Sequence, residues 1–232
     1  TESELAMTNF APLLKKALEK TGLSMISVPT GIEWTVEFAN LVKVLKLDAL
    51  KDANGEYFSI EDLMNVNNII AVLRGIEQTD IELITGSNLI MTNVNNLAPV
   101  VIERAGLSAS VTIPAGTDWT KEIVNLIGLV NLQAFHILLE DNAGNIVMNK
   151  LQNINTIIEA LQSISLDDIH IITDSDLIMA NVNVLLPKLI AKYGYDNLIT
   201  IPAGTDWSEE LHRGVRLLQI EEFWNEEKLF DV

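Results

Sequence analysis

Apolar and polar positions divide the chain into stretches with helical spacing and short runs of β-branched residues. Three stretches of helical spacing each run for 15 residues from a methionine to a glycine. Glycine is the residue preferred just past the C-terminus of a helix, so each stretch predicts a helix. The three methionine–glycine pairs are Met7 and Gly22, Met91 and Gly106, and Met179 and Gly194.

A β-branched run that ends in proline follows each of these glycines. Such runs are typical of short strands, and a proline is tolerated at a strand end because its missing N–H is not needed there. We therefore predict strands at Ile26–Pro29, Val111–Pro114 and Leu198–Pro202. Two further strand-like runs are Ile81–Thr85 and Ile169–Thr173.

More helices are predicted between these runs, where apolar residues recur with a period near 3.6. They are Ile60–Ile76, Lys121–Val130 and Ile146–Ile164. Predicted strand starts fall near positions 25, 49, 81, 110, 135, 169 and 198, roughly 24 to 34 residues apart.

The alternation of strand and helix favours an α/β fold with parallel strands joined by right-handed crossovers. We expect a helix-rich tandem array, either a solenoid-like stack of strand–helix units or a single sheet, open or closed. Two interior prolines, Pro99 and Pro187, each predict a kink or a break in a helix, because proline removes a backbone donor.

An internal repeat sets the organisation of the chain. The octapeptide Thr-Ile-Pro-Ala-Gly-Thr-Asp-Trp occurs at Thr112–Trp119 and again at Thr200–Trp207, and a related sequence occupies Ser27–Trp34. We predict copy 1 at residues 1–80, copy 2 at 81–168, a truncated copy 3 at 169–220 and an acidic, aromatic C-terminal segment at 221–232.

Several polar residues of the repeat have the spacing of helix caps and turns. Asp206 with Glu209 forms a capping-box pattern before a helix, and Thr117 or Asp118 occupies the same place in copy 2. Ser59 with Asp62 is a similar pair. The sequences Leu50–Gly55 and Leu139–Gly144 predict matching turns.

Composition narrows the possible partners. The chain has 15 Lys and Arg against 32 Asp and Glu, a net charge of −17, which repels phosphate backbones and anionic lipid. We therefore expect no nucleic-acid or membrane partner. The N-terminal residues lack the pattern of a signal peptide, and no apolar run is long enough for a transmembrane helix. Synthesis in the cytoplasm is expected, and the final compartment stays open.

Candidate catalytic and cofactor motifs are few. The chain has no cysteine, no phosphate-binding or dinucleotide-binding glycine motif and no His-Glu-x-x-His zinc motif. We predict no catalytic residue, no metal and no cofactor. The alternative is an α/β enzyme that gathers histidine and carboxylate side chains at its strand ends. Its candidate residues are His136, Glu140, His170 and Asp174.

Tryptophans at equivalent repeat positions suggest either packing or binding. Trp34, Trp119 and Trp207 can each hold a helix start against the segment before it. They can also line a face that binds a peptide or a glycan. Asparagine pairs at Asn93/Asn95 and Asn153/Asn155 predict a polar ladder between copies, a hydrogen-bonding surface or a solvated helix face.

The C-terminal segment adds further aromatic residues, Phe223, Trp224 and Phe230, as partner-binding candidates or as a cap on the array. Our leading hypothesis is a non-catalytic repeat scaffold that mediates protein–protein contacts. It would serve as a structural subunit of a larger assembly, such as a virion or a cell-surface structure. Its expected partners are other protein subunits, including copies of itself.

Overall fold

A computed structural model describes residues 3–20, 26–59, 61–104, 106, 108, 111–147, 149–192, 194–197 and 200–219. The predictions for Gly22, for the first two residues of Leu198–Pro202 and for Phe223, Trp224 and Phe230 fall outside these residues. The chain divides into two compact units. The first is Thr1–Ser108 with Asp118–Thr120, and the second is Ala109–Thr117 with Lys121–Val232.

The first unit contains two long helices and three shorter ones. The bounds are α1 Glu4–Lys20, α2 Trp34–Val44, α3 Val66–Gly75, α4 Gln78–Thr85 and α5 Asn88–Arg104. Short 3-10 helices lie at Asp48–Leu50 and Asp62–Met64.

The second unit repeats the order of elements that starts at α2 in the first unit. Its helices are α6 Trp119–Asn131, whose first residues belong to the first unit, α7 Gln133–Leu139, α8 Ile154–Ser163, α9 Ile169–Thr173, α10 Asp176–Lys192 and α11 Trp207–Leu218. Its 3-10 helices lie at Asn149–Gln152 and Tyr195–Asn197.

The α/β fold class is wrong. The described residues form an all-helical repeat without a strand, and their only β pairing is two isolated antiparallel bridges, Lys51 with Tyr57 and Glu140 with Ile146. The strand starts expected near positions 49 and 135 lie instead in a 3-10 helix and in α7. The helix predicted at Lys121–Val130 is confirmed as α6.

The proline-terminated runs Ile26–Pro29 and Val111–Pro114 are non-helical segments, as are residues 200–202 of Leu198–Pro202. In the first two runs an asparagine side chain from a long helix bonds the N–H and the C=O of one backbone residue. Every backbone N–H and C=O group needs a hydrogen-bond partner, and at Ser27 and Thr112 a side chain supplies what a neighbouring strand would otherwise supply. The clasped residue in each run is therefore already paired and does not bond to a neighbouring strand.

The runs Ile81–Thr85 and Ile169–Thr173 are helices α4 and α9, not strands. Local caps favour the helical form: Glu77 and Asp80 form a capping box before α4. In each run the terminal threonine hydroxyl bonds a carbonyl four residues earlier, which a strand does not allow. Capping and burial of Ile81 and Ile169 therefore outweigh β-propensity.

The predicted long helices form, and their prolines do not divide them. Pro12, Pro99 and Pro187 lie inside α1, α5 and α10, each a single 17-residue helix. Each proline removes one helical hydrogen bond, and the contacts of the rest of the helix maintain it. The predicted helices Ile60–Ile76 and Ile146–Ile164 are shorter than expected, since each contains a 3-10 turn followed by α3 or α8.

The two identical octapeptides adopt the same turn. Thr117 and Thr205 each donate a hydroxyl hydrogen bond to the carbonyl of the proline three residues earlier, at 2.7 Å in both copies. Gly116 and Gly204 both have φ of 79°, in the left-handed region that favours glycine. The shared sequence therefore specifies one local structure in both places.

The second unit has a continuous apolar core. Ala160, Ile169 and Val215 have no exposed surface, and they bring α8, α9 and α11 together. Among the described residues no single helix has both the length and the apolar character needed to cross a membrane. Only α6 and α7 counted together, with a bend of 74° between them, meet that criterion.

Candidate functional site

The first recurring polar contact joins a tryptophan helix to the start of a long helix. Glu37, three residues after Trp34, is 2% exposed. Its carboxylate accepts hydrogen bonds from Ser87 Oγ at 2.5 Å and from the backbone N–H groups of Asn88 at 2.9 Å and Leu89 at 3.1 Å. Ser87 Oγ in turn accepts from the N–H of Ile90 and so caps α5.

The second unit contains the same contact. Glu122, three residues after Trp119, has no exposed surface. It accepts hydrogen bonds from Ser175 Oγ at 2.5 Å and from the N–H of Leu177 at 3.3 Å, at the start of α10. Ser175 Oγ accepts a hydrogen bond from the N–H of Ile178 and so caps that helix. We call this arrangement the helix-cap contact.

The physical chemistry of the helix-cap contact explains how a buried carboxylate is tolerated. An isolated buried charge is strongly unfavourable. At the start of a helix, unpaired N–H groups and the helix dipole favour a negative charge, and hydrogen bonds to an ionised acceptor are the stronger kind. Glu37 and Glu122 each supply that charge from a different helix, so each fixes where the following long helix begins.

A second recurring contact lies one and a half turns further along the long helix. The side chain of Asn93 accepts a hydrogen bond from the N–H of Ser27 at 2.7 Å and donates one to the Ser27 carbonyl at 2.8 Å. Asn181 makes the same two bonds, of 2.7 and 2.8 Å, with Thr112. We call this pair of bonds the asparagine clasp. Of the asparagines singled out in the sequence, Asn93 therefore makes a contact between copies.

The helix-cap contact and the asparagine clasp together form what we call the repeat joint. It occurs once in each unit, with Glu37 and Asn93 in the first and Glu122 and Asn181 in the second. In both cases an acceptor group and a backbone segment of one copy hold the long helix of the next. The joint can position protein elements, and it presents no reacting group to solvent.

Each of the three repeated tryptophans begins a helix, and two of these helices, α2 and α6, carry the joint. Trp34, Trp119 and Trp207 are the first residues of α2, α6 and α11. Trp34 packs on Phe10, with ring centroids 4.9 Å apart. Trp119 is buried and donates its indole N–H to the Asn95 side chain. Trp34 and Trp207 are half-buried.

The predicted caps have the expected roles in most cases. Asp206 accepts from the N–H groups of Ser208 and Glu209, and Asp118 accepts from that of Thr120. Glu209 does not complete the capping box but pairs with Arg213 at 2.6 Å. Asn153 caps α8 rather than lying inside a helix.

The histidine and carboxylate candidates of the enzyme hypothesis form two pairs. His136 Nδ1 lies 2.7 Å from Glu140 Oε2, and Glu140 is buried. His170 Nδ1 lies 3.9 Å from Asp174 Oδ1, and the His170 ring stacks edge-on to that of His212 at 5.2 Å. The hypothesis placed these residues at strand ends, and the helical fold removes that framework.

The described part of the chain has few other features that could form a binding site. No group of three or more histidine and carboxylate side chains among those residues is arranged to hold a metal ion. A cavity of about 340 Å³ in the first unit lies beside α1, lined by Lys15, Leu18, Glu19, Ile26, Ser27 and Val28. Its lining includes the clasped residue Ser27.

Sequence reasoning missed the residues that make the helix-cap contact. Glu37, Glu122 and the serines at the starts of α5 and α10 were not among the predicted site residues. A signal was present: each repeated tryptophan is followed three residues later by glutamate, at Glu37, Glu122 and Glu210. The known proteins do not add to this picture, since no protein family, curated protein or solved structure matches the chain.

Proposed function

We propose that this protein is a non-catalytic repeat scaffold that makes contacts with other protein subunits and serves as a structural component of a larger assembly. A virion or a cell-surface structure is a concrete form of such an assembly. The observation that carries the proposal is the repeat joint. Residues at matching positions of the repeat hold one copy to the next.

The chemistry of the joint supports a structural role. Its carboxylates, at Glu37 and Glu122, are buried and fully engaged with helix starts. Residues that recur because they hold helix starts stabilise the fold, and this role requires no substrate.

The surface of the chain suits contact with protein. Several large apolar side chains are exposed, among them Leu5 at 77% and Leu13 at 64% on α1 and Leu45 at 64% just after α2. Leu5 and Leu13 lie eight residues apart on α1, a little over two helical turns, and so share one broad side of the helix. An apolar face with a polar border is typical of surfaces that bind other proteins.

The mass of the 232-residue protein under native conditions tests the proposal. Light scattering over a range of concentrations should give a mass above the 25.7 kDa of one chain. Material isolated natively from its source should likewise be bound to other subunits. A protein that stays at the mass of one chain in both measurements contradicts the proposal.

A further inference from the structure

The two halves of the repeat joint also occur separately in the chain. Three long helices share a seven-residue pattern that starts with serine and ends with asparagine: Ser3–Asn9, Ser87–Asn93 and Ser175–Asn181. The patterns of α5 and α10 are held by the copy before them. The pattern of α1 has no preceding copy among the described residues.

The α1 half is exposed where its counterparts are covered. Leu5 is 77% exposed, whereas the aligned Leu177 is 9% exposed. The Asn9 side chain donates to the Leu5 carbonyl, as Asn181 does to that of Leu177. In the described part of the chain, Asn9 lacks the clasp that Asn181 adds. We call Leu5, Asn9 and Leu13 the head.

The complementary half lies in the third copy of the repeat. Glu210 aligns with Glu37 and Glu122, but its carboxylate is 44% exposed and meets Arg213 rather than a helix start. Thr200 aligns with Ser27 and Thr112, and its backbone bonds to no asparagine among the described residues. We call Thr200 and Glu210 the tail.

We propose that the head of one copy of the protein binds the tail of a second copy and rebuilds the repeat joint between two chains. Asn9 of one copy clasps the backbone of Thr200 of the next, and Glu210 accepts hydrogen bonds from the N-terminus of α1. The proposal rests on the proposed scaffold function and specifies its partner and geometry. Contact between unlike surfaces of identical chains gives a ring or an open filament.

One pair of aligned residues differs between the intermolecular joint and the joint inside the second unit. This pair predicts how strongly two copies of the protein associate. In the second unit Lys121 Nζ lies 3.8 Å from Asp176 Oδ2 beside the helix-cap contact. The aligned residues of tail and head are Glu209 and Glu4, two acids. Glu209 also pairs with Arg213 of its own chain, which reduces the repulsion between the two acids without removing it. Head-to-tail association is therefore weakened at low ionic strength, and added salt relieves this effect. Replacing Glu209 by lysine restores the opposite charges.

The test is sedimentation velocity of the full 232-residue protein and its variants over a range of concentrations. Glu210→Gln is expected to weaken association about tenfold or more, because it removes the charged acceptor of a contact buried on binding. Asn9→Ala removes the clasp and is expected to weaken association severalfold. Glu209→Lys is expected to strengthen it about two- to fivefold, the effect of one exposed ion pair.

Controls separate these effects from general changes of charge or folding. Glu159→Gln and Glu159→Lys make the same changes at an exposed position of α8 and should leave association near that of the wild type. Circular dichroism checks that each variant is helical. Stronger association of Glu209→Lys is a further check, because an unfolded variant would lose association rather than gain it.

The outcomes distinguish this inference from the broader proposal. If the wild-type protein associates and the head and tail variants associate equally well, another surface is responsible; the inference is overturned while the scaffold proposal stands. If the protein is monomeric and associates only after removal of residues 221–232, that segment covers the tail, which also overturns the inference. The inference is supported if Glu210→Gln and Asn9→Ala weaken association and Glu209→Lys strengthens it.

Discussion

Ser175 Oγ donates a 2.5 Å hydrogen bond to Glu122 Oε2, and both residues have no exposed surface. The pair joins residues 53 positions apart in the sequence and places a buried carboxylate at the start of α10. Glu37 and Ser87 repeat this relationship at the start of α5. The account of the protein as a stackable array depends on this pair.

Glu122→Gln should destabilise the second unit by about 2–4 kcal/mol, because an amide accepts fewer of the donors and places its own N–H₂ among them. Urea unfolding followed by circular dichroism measures the loss. Glu159→Gln is the matched control, an exposed glutamate of α8, and should change the free energy of unfolding little. Equal effects of the two substitutions would show that the helix-cap contact does not stabilise the fold.

Asn181→Ala should destabilise the second unit by at most about 1 kcal/mol, because it removes two exposed hydrogen bonds to Thr112 that water can partly replace. The comparison is with Asn183→Ala, an exposed asparagine two positions along α10. Hydrogen exchange at the Thr112 amide reports on the clasp itself. The exchange rate should rise in Asn181→Ala and not in Asn183→Ala. Unchanged exchange in both variants would argue against the clasp.

The turn after α7 should show a specific pH dependence. The backbone N–H of Asn145, with its side chain, holds the pKa of Asp141 below its usual value. A carboxyl with a depressed pKa in the folded state stabilises the fold above its unfolded pKa of about 3.9 and loses that effect as pH falls through the folded pKa. Asp141→Asn should therefore be less stable than wild type near neutral pH.

The difference between wild type and Asp141→Asn should shrink as the pH falls below about 4. Urea unfolding at several pH values measures it. Asp167→Asn removes the same charge at an exposed position where the described residues supply no hydrogen bond, and so reports the effect of charge alone. If the free energies of unfolding of wild type and Asp141→Asn differ by a constant amount down to low pH, the role assigned to Asp141 is contradicted.

Two glycine substitutions should have opposite signs. Gly144 has φ of 81°, so Gly144→Ala forces a left-handed conformation on alanine and should cost about 1 kcal/mol. Gly214 lies inside α11, where an added methyl group would meet no atom within 4 Å, so Gly214→Ala should stabilise by about 0.5–1 kcal/mol. Thermal unfolding of both variants checks the signs, and equal signs would contradict this description of the two backbones.

The sequence allowed the repeat, the long helices and most of the turns to be predicted, because their signals are local. Gly106 and Gly194 follow α5 and α10 with φ of 70° and 73°, as the glycine pattern indicated. Asp206 caps α11 and Ser59 bonds Asp62 for the same reason. Each of these structures is decided by residues within a few positions of one another.

The strands were predicted wrongly because their outcome depends on distant residues. Val111–Pro114 has a β-branched pattern, but Asn181, 69 positions from Thr112, satisfies the backbone there instead of a neighbouring strand. Ile169–Thr173 is short and apolar, and its helical form depends on burial of Ile169 in the core. A short apolar run does not itself distinguish the two forms.

The helix-cap contact was missed for a related reason. Glu122 reads as an ordinary acid in the first turn of a helix, where acids are favoured. Only the fold shows that it serves the first turn of α10 rather than that of its own helix. The regular spacing of Glu37, Glu122 and Glu210 after the tryptophans was the available sequence signal, and its meaning required the partner serine.

Site-directed cross-linking tests most directly the claim that the repeat joint also forms between two copies of the protein, and it is practicable because the protein has no cysteine of its own. Glu4→Cys protein is mixed with Glu209→Cys protein and treated with a short bismaleimide. Lys121→Cys/Asp176→Cys in one chain is the positive control, because those side chains meet within the second unit.

The account predicts a two-chain product whose peptides join position 4 of one copy to position 209 of the other. Products that join only 4 to 4 or 209 to 209, or no product while the control closes, would contradict it.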